Sequence, residues 1–431
     1  MDANSPAEAP APTPRSPSAV DRVGVSRANA LDRIARAAIV RGLDRLTDAR
    51  VVLRDRTLGD AAGGPEDAAV RLAVTIRDPR AYRRIAGGGS IGAAEAYIDG
   101  QWTTDDLPAL LRLFARNLGA NDAMEGGVAR LLGATRRLTH TLRSNSRRGS
   151  RRNIGAHYDL SNAFFASFLD ETMTYSAGYF ERPDATMAEA SIAKLDRLCR
   201  KLHLGPDDHL LEIGTGWGSL ALHAAGRYGC RVTTTTISRE QHTLAKTRVR
   251  DAGLADRVDV RLDDYRELDG VYDKIVSIEM IEAVGHRNLG RFFEACGNRL
   301  KPDGLLAIQA ITMPDHRYRQ YLRAVDFIQR CVFPGSCLTS ISAMTAAAGT
   351  ASDLRLIDLD DMTPHYAQTL RHWRTSFRAA RAAVVDLGFS ESFLRLWEYY
   401  LCYCLAGFEE HLAGSVQTVF ARPGWRPEPI R

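Results

Sequence analysis

Five polar side chains stand where this sequence predicts the ends of successive strands: Glu212, Thr236, Asp264, Glu282 and Gln309. The first of them sits inside residues 209–218, HLLEIGTGWG, where an apolar run leads through Glu212 and Ile213 into Gly214, Gly216 and Gly218. Glycines at such a turn let the backbone take positive φ and let a ligand approach closely. The spacing is G-x-G-x-G, not the G-x-G-x-x-G of dinucleotide-binding folds. An acid two residues before the first glycine suits a cationic or hydroxyl-rich ligand better than a pyrophosphate. A tight strand-to-helix turn holding nothing would leave the same trace at this one motif. Five polar residues converging on one sheet edge are stronger evidence than the motif alone.

The elements that must position these residues follow from periodicity. Apolar or β-branched runs predict strands starting at 209 and over 231–237, 258–262, 274–278 and 305–311. Helical spacing fits 219–228, 241–251 and 288–300, and residues 301–304, KPDG, read as a turn. Strands alternating with helices imply an α/β fold with a doubly wound, mostly parallel sheet. Ligands in such sheets lie at the carboxyl ends of the strands.

Upstream, residues 29–142 read as a smaller α+β module. A helix is expected over 31–43, strands over 49–54 and 70–76, and a helix over 107–114 capped by Asp105-Asp106. Between them, GSIGAAEAYIDGQW at 89–102 reads as a helix between glycine stops, with Tyr97 and Trp102 as core residues. Residues 143–152, RSNSRRGSRR, carry five arginines and no acid. They read either as a solvated linker or as a strip for lipid phosphates, each arginine adding on the order of 1 kcal/mol near an anionic surface. Residues 153–431, which hold the glycine loop and the alternating strands and helices, read as the larger second unit.

The chain has 431 residues, enough for two or three domains, with 45% hydrophobic and 25% charged residues and a formal charge of +5. A mild positive charge favours anionic surfaces without choosing between lipid and nucleic acid. No interleaved aromatics or known binding motif point to nucleic acid. No apolar run reaches about 18 residues, so no membrane span is expected. Residues 1–28, rich in Pro, Ala and Ser, read as a disordered tail and not a signal peptide. The seven cysteines, odd in number and scattered without a C-x-x-C pair, argue against a disulfide framework and fit a reduced cytoplasm; no metal is expected.

The glycine loop with its preceding acid resembles motif I of the class I S-adenosyl-L-methionine (SAM) methyltransferases. A wider set of blocks is similar to one family, the cyclopropane-fatty-acyl-phospholipid synthases and related mid-chain, tuberculostearic-type fatty acid methyltransferases. These blocks run from about Gly89 to Phe420. They include GSIGAAEAYIDGQW, HYDLSN, MTYS, LEIGTGWG, TISREQ, DDYREL, SIEMIEAVGH, AIQAITMP, FIQRCVFPG, HYAQTLRHW and WEYYLCYCLAGF. The resemblance implies a Rossmann-like SAM methyltransferase domain that methylates the cis double bond of an acyl chain in a membrane phospholipid. Cyclopropane formation is the first reading and mid-chain methyl transfer the alternative, although SIEMIEAVG and PHYAQTLRHW look closer to the methyl-branching members.

Residue by residue, the resemblance implies a SAM site of Tyr175, Ser176, Gly214, Gly216, Thr236, Gln241, Asp264 and Tyr265. Thr236 and Gln241 would replace a missing ribose acid, and Asp264 and Tyr265 would hold adenine. It implies a bicarbonate ion as base, held by Glu282, Gln309, Tyr366 and the backbone of Ala177 and Ile311. Gln309 stands where histidine is usual; it donates a hydrogen bond as neutral histidine does but cannot relay a proton. Cys404 matches a late family cysteine, either near the acyl chain or as a buried apolar residue. Phe333, Trp373, Tyr399, Tyr400 and Tyr403 either face a carbocation or pack the core. The implied partners are unsaturated phospholipid at the inner membrane face, a separate reductase if a methylene product forms, and a second copy in a homodimer. A SAM-binding protein without catalysis, and a methyltransferase acting on another small molecule or RNA, are the competing readings. Glu282 and Tyr366 argue against the first, and the lack of an RNA module against the second.

Overall fold

In the computed structural model, residues 27–117 and 160–427 are described. The basic stretch at 143–152, almost all of the N-terminal tail and the start of the HYDLSN block lie outside them. The N-terminal module contains α1 (Ala30–Leu43), β1 (Ala49–Asp55), β2 (Ala61–Gly63), β3 (Val70–Ile76), α2 (Arg80–Ile98), β4 (Trp102–Thr104) and α3 (Leu107–Arg116). Its sheet has the order β2-β1-β3-β4. Asn29 and Asp32 form a capping box at the start of α1, and Asp106 caps α3 through the Ala109 N–H. The expected glycine stop at 89 falls inside α2, which bends there as Gly89 takes φ 57°. A Cβ at Gly92 would lie 2.1 Å from the Arg84 carbonyl oxygen, so only glycine lets the two arms of the bend touch.

The catalytic unit contains α4 (Asn162–Ala166), α5 (Met187–Lys201), β5 (His209–Ile213), α6 (Ser219–His223), β6 (Arg231–Thr235), α7 (Arg239–Asp251), β7 (Val258–Arg261) and β8 (Tyr272–Ile278). It continues through α8 (Leu289–Arg299), β9 (Leu300–Thr312), α9 (Asp315–Tyr321), α10 (Ile341–Ala351) and β10 (Arg355–Asp361). It closes with α11 (Thr363–Ala379), α12 (Arg381–Asp386), α13 (Glu391–Glu409) and β11 (Gly414–Ala421). The sheet order is β10-β11-β9-β8-β5-β6-β7. Strands β7, β6, β5, β8 and β9 are parallel; β11 and β10 add an antiparallel edge. The fold is the expected α/β class with a Rossmann-like sheet. The expected turn at 301–304 is a bulge inside β9: Tyr272 pairs with Leu300 and Lys274 with Leu305. The expected helix at 219–228 starts as α6 and ends in a π turn over Ala224–Tyr228.

After β5 the chain builds outward through β6 and β7, then returns to place β8 on the other side of β5. The crevice at that reversal is where open α/β sheets bind ligands. The N-terminal module does not keep a separate core. Its Tyr82, Tyr97, Trp102, Leu110 and Leu113 belong to one hydrophobic cluster with Trp373, Trp397 and Tyr399 of the C-terminal helices. Arg395 on α13 donates to the carbonyls of Tyr97 (2.6 Å) and Trp102 (2.9 Å) and lies 4.2 Å over the Tyr97 ring.

Candidate active site

A cavity of about 730 Å³ opens at the crevice between β5 and β8. The glycine loop forms one wall. Gly214, Gly216 and Gly218 take φ of 105°, 52° and 89°, a region costly for other residues. Thr235 holds the loop down, its carbonyl accepting from the N–H groups of Gly214 (3.0 Å) and Thr215 (3.1 Å). Glu212 is buried behind the loop and accepts from the Thr234 hydroxyl at 2.6 Å. Burial pushes its carboxyl up to about 8, against the pull of Thr234 and Lys194.

The next strand ends line the same cavity. Thr236 donates to the Gln241 side-chain oxygen at 2.9 Å, and Ser238 caps α7 through the Gln241 N–H. Asp264 is already paired: the Arg266 guanidinium meets it at 2.8 and 2.5 Å. Tyr265 packs edge-on against Phe292 at 5.7 Å. Thr236, Gln241, Asp264 and Tyr265 all face the cavity. Tyr175 and Ser176 line it too, the Tyr175 hydroxyl 2.9 Å from that of Tyr400.

The centre of the site holds two carboxylates, and sequence reasoning named only one. Glu279, at the end of β8, takes φ 48°, one of four positive values outside glycine among the described residues. Its Oε1 accepts from the Ala177 N–H at 3.0 Å and from Gln309 Nε2 at 2.9 Å. Its Oε2 accepts from the Tyr366 hydroxyl at 2.8 Å. Glu282, three residues on in a single turn (Ile281–Ala283), accepts from the Ile311 N–H at 2.5 Å. Its other oxygen is buried without a partner. Burial and the nearby Glu279 charge push Glu282 up to about 8. Burial raises Glu279 too, opposed by its three donors and by Lys194. Donors on both oxygens favour the charge on Glu279, and the orphaned oxygen of Glu282 favours the proton there. The signal for Glu279 was present, since SIEMIE puts two acids at the end of a strand.

Gln309 lies behind this pair. It is fully buried, is absent from the cavity lining, and is clamped by Gln417, whose Nε2 donates to its Oε1 at 3.0 Å. Ala177 is likewise behind the lining, whereas Ile311, Tyr366 and Cys404 reach it. Burial pushes the Cys404 thiol well up, which disfavours a thiolate nucleophile. Phe333, Tyr399, Tyr400 and Tyr403 face the cavity, while Trp373 sits behind Tyr175 with ring centroids 5.0 Å apart. The N-terminal module closes the apolar arm with Ile85, Ala93, Leu111 and Phe114. Lys194, unmarked in the sequence, is buried on α5 and donates to Ser176 Oγ at 2.7 Å.

A sulfonium donor fits this lining. The glycine loop leaves room for a close approach, with no atom within 4 Å of a Cβ placed at Gly216. The buried carboxylates suit a cation. Bicarbonate does not fit. The Ala177 N–H, Gln309 and Tyr366 donors expected to hold it are taken by Glu279, and the Ile311 N–H by Glu282. A further anion would meet buried negative charge with no donor among those four left for it.

The family described as mycolic acid cyclopropane synthetase matches residues 145–418. Tuberculostearic acid methyltransferase UfaA1 of Mycobacterium tuberculosis is 42% identical over 402 residues, 90% of this chain and 92% of its own. Cyclopropane-fatty-acyl-phospholipid synthase of Escherichia coli is 32% identical over 366 residues, 84% of this chain and 90% of its own. The solved structure of mycolic acid cyclopropane synthase CmaA1 complexed with SAH and CTAB superposes with a TM-score of 0.59. It has 32% identity and covers 63% of this chain and 98% of that one.

Proposed function

The chain belongs to the mycolic acid cyclopropane synthetase family of SAM-dependent methyltransferases, and from that premise we propose that it methylates the mid-chain double bond of an unsaturated phospholipid acyl chain, leaving a methylene branch. The observation that carries the reading is Glu279, a fixed carboxylate on three donors at the mouth of the glycine loop. When bound, the sulfonium donor supplies an electrophilic methyl group and leaves as the thioether. The alkene π pair forms the new C–C bond, which leaves a cation on the neighbouring carbon. A hydride then shifts from the methylated carbon to that cation. Glu279 accepts a proton from the added methyl group, and the C–H pair becomes the C=C bond of the methylene branch. Without the hydride shift, the same proton loss closes a cyclopropane.

This chain's residues supply the conditions for those steps. A carboxylate in a dry site is a stronger base than one in water. Tyr366 and Gln309 hold it still, and the aromatic faces of Phe333, Tyr400 and Tyr403 line the space where positive charge develops. The arm walled by Ile85, Ala93, Leu111 and Phe114 is apolar, which suits an acyl chain. The methyl-branching outcome draws support from UfaA1, the more similar of the two lipid-modifying relatives; the E. coli relative favours cyclopropanation as the second reading. The test is expression in a host with unsaturated phospholipids, followed by lipid mass spectrometry before and after hydrogenation. Both products gain one CH2, but only a methylene branch then takes up two hydrogens. A product that resists hydrogenation selects the cyclopropane, and unchanged acyl chains overturn both readings.

A further inference from the structure

Two carboxylates around the cavity, Glu212 and Glu282, are buried and a third, Glu279, is half-buried, and none of the described cations lies within ion-pair distance of them. Asp264, a further buried acid of the lining, is neutralised by Arg266, and Asp326, half-buried in the same lining, accepts from the Gln329 N–H at 2.8 Å. Lys194 is the buried cation closest in kind to an answer. Its side chain is fully buried, lines the cavity, and donates to the Ser176 hydroxyl at 2.7 Å. An ammonium taken out of water onto a single hydroxyl is costly unless charge compensates it. Burial lowers Lys194 to about 8, and the charges that pull it back are Glu279 first, then Asp170 and Glu212. The influence is mutual, since Lys194 pulls both Glu279 and Glu212 down.

We propose that Lys194 is a positioning residue for proton removal: tied to Ser176, its ammonium is the buried counter-charge that keeps Glu279 ionised and ready to accept the proton. The inference rests on the reading of Glu279 as the base. Lys194 and Glu279 line the same cavity and are held to adjacent residues, the ammonium to the Ser176 hydroxyl at 2.7 Å and the carboxylate to the Ala177 N–H at 3.0 Å; the other groups around Glu279 are Glu282 from its own turn, Tyr366 from α11 and Gln309 from β9. Those that face Lys194 are Ser176, Asp170, Glu212 from β5, and Glu279. Lys194 is the single positive group in either set. Its removal leaves Glu279 beside acids alone, so Glu279 holds a proton to higher pH and loses its capacity as a base at neutral pH.

Lys194→Met, of similar length and without charge, tests this in the full chain with unsaturated phosphatidylglycerol vesicles and SAM. The acid limb of the kcat profile is expected to move up by about one pH unit or more. Activity would fall roughly tenfold at pH 7 and recover substantially by pH 9, with a smaller change in KM for SAM. An equal loss at every pH, or an unshifted profile, overturns the proposal. Lys194→Gln repeats the test, with S-adenosylhomocysteine calorimetry and thermal melting reporting the fold. Failure of both variants to fold assigns the lysine to stability and also overturns it. Glu279→Gln separates the two ideas: if it stays active, the base assignment falls; if it is inactive while the Lys194→Met limb is unmoved, the present inference alone falls.

Discussion

Replacing Glu279 by glutamine is the sharpest perturbation the structure offers, because the two side chains differ by one heavy atom and one charge. The amide oxygen takes the place of Oε1 and keeps the Ala177 N–H (3.0 Å) and Gln309 Nε2 (2.9 Å) contacts. The amide nitrogen then faces the Tyr366 hydroxyl, which turns from donor to acceptor across the same 2.8 Å. The hydrogen-bond cost of this exchange is therefore about 0.5–1.5 kcal/mol, partly offset by removing a buried charge next to Glu282. The fold and donor binding are expected to survive. Chemistry does not, because an amide cannot accept the methyl proton. Loss of a positioned general base costs about 10²–10⁴ in rate, or roughly 2.7–5.5 kcal/mol of barrier. The assay is conversion of unsaturated phospholipid in vesicles, read by mass spectrometry, with S-adenosylhomocysteine calorimetry as the control. Turnover within threefold of wild type, at unchanged donor affinity, refutes the reasoning.

Other consequences follow from the same geometry. A base built into the chain needs no dissolved anion: turnover in carbon dioxide-depleted buffer should match that with added bicarbonate, and a several-fold rise on its addition contradicts the Glu279 assignment. Glu282 carries a folded value of about 8 against an ordinary 4.5. The folded protein thus keeps a proton that the unfolded chain releases, and this contribution to stability is full below about 4.5 and is lost as pH climbs towards 8. Glu282→Gln keeps an acceptor for the Ile311 N–H and removes that slope. Its melting temperature should exceed that of wild type by more at pH 8 than at pH 5, and equal differences at both argue against a raised Glu282. Ala93→Phe places a ring in the apolar arm walled by the N-terminal module. Donor affinity should hold while conversion of 18-carbon chains falls several-fold more than that of 14-carbon chains; a uniform loss removes the arm from the acyl site.

Much of the framework was legible because it obeys local rules. The strand expected at 70–76 is β3 (Val70–Ile76), and the helix expected at 31–43 is α1 (Ala30–Leu43); both follow from apolar period and caps. The glycine loop was legible because its φ values leave few residue types a choice. What escaped depends on contacts far apart in sequence. Nothing near GSIGAAEAYIDGQW says that the Tyr97 ring will pack, tilted, 5.4 Å from that of Tyr399, so the N-terminal module read as separate although it shares its core with α11 and α13. Lys194 sits in a helix of ordinary amphipathic pattern, and only the packing of α5 under Ser176 gives its charge a purpose.

The glutamate pair shows most clearly why spacing is not enough. In SIEMIE the two acids are three residues apart, and a reading by family pattern selects Glu282 because its neighbours carry the match. The backbone decides otherwise. Positive φ at Glu279, a conformation that costs of order 1–3 kcal/mol for a side chain with a Cβ, turns its carboxylate towards Ala177, Gln309 and Tyr366. Such strain persists where the surroundings over-determine it, and three donors on one carboxylate do so here. With glycine at this position the turn would be relaxed and the same three donors would face an empty place of carboxylate size. The bicarbonate expected from the resemblance and the Glu279 carboxylate are therefore two solutions to one requirement, an anionic oxygen held by a backbone N–H, an amide and a phenol. In this chain the three donors are met by a side chain; on the proposed reading that side chain is a base at full occupancy, with its protonation tied to Lys194 and Glu282 and not to the composition of the buffer.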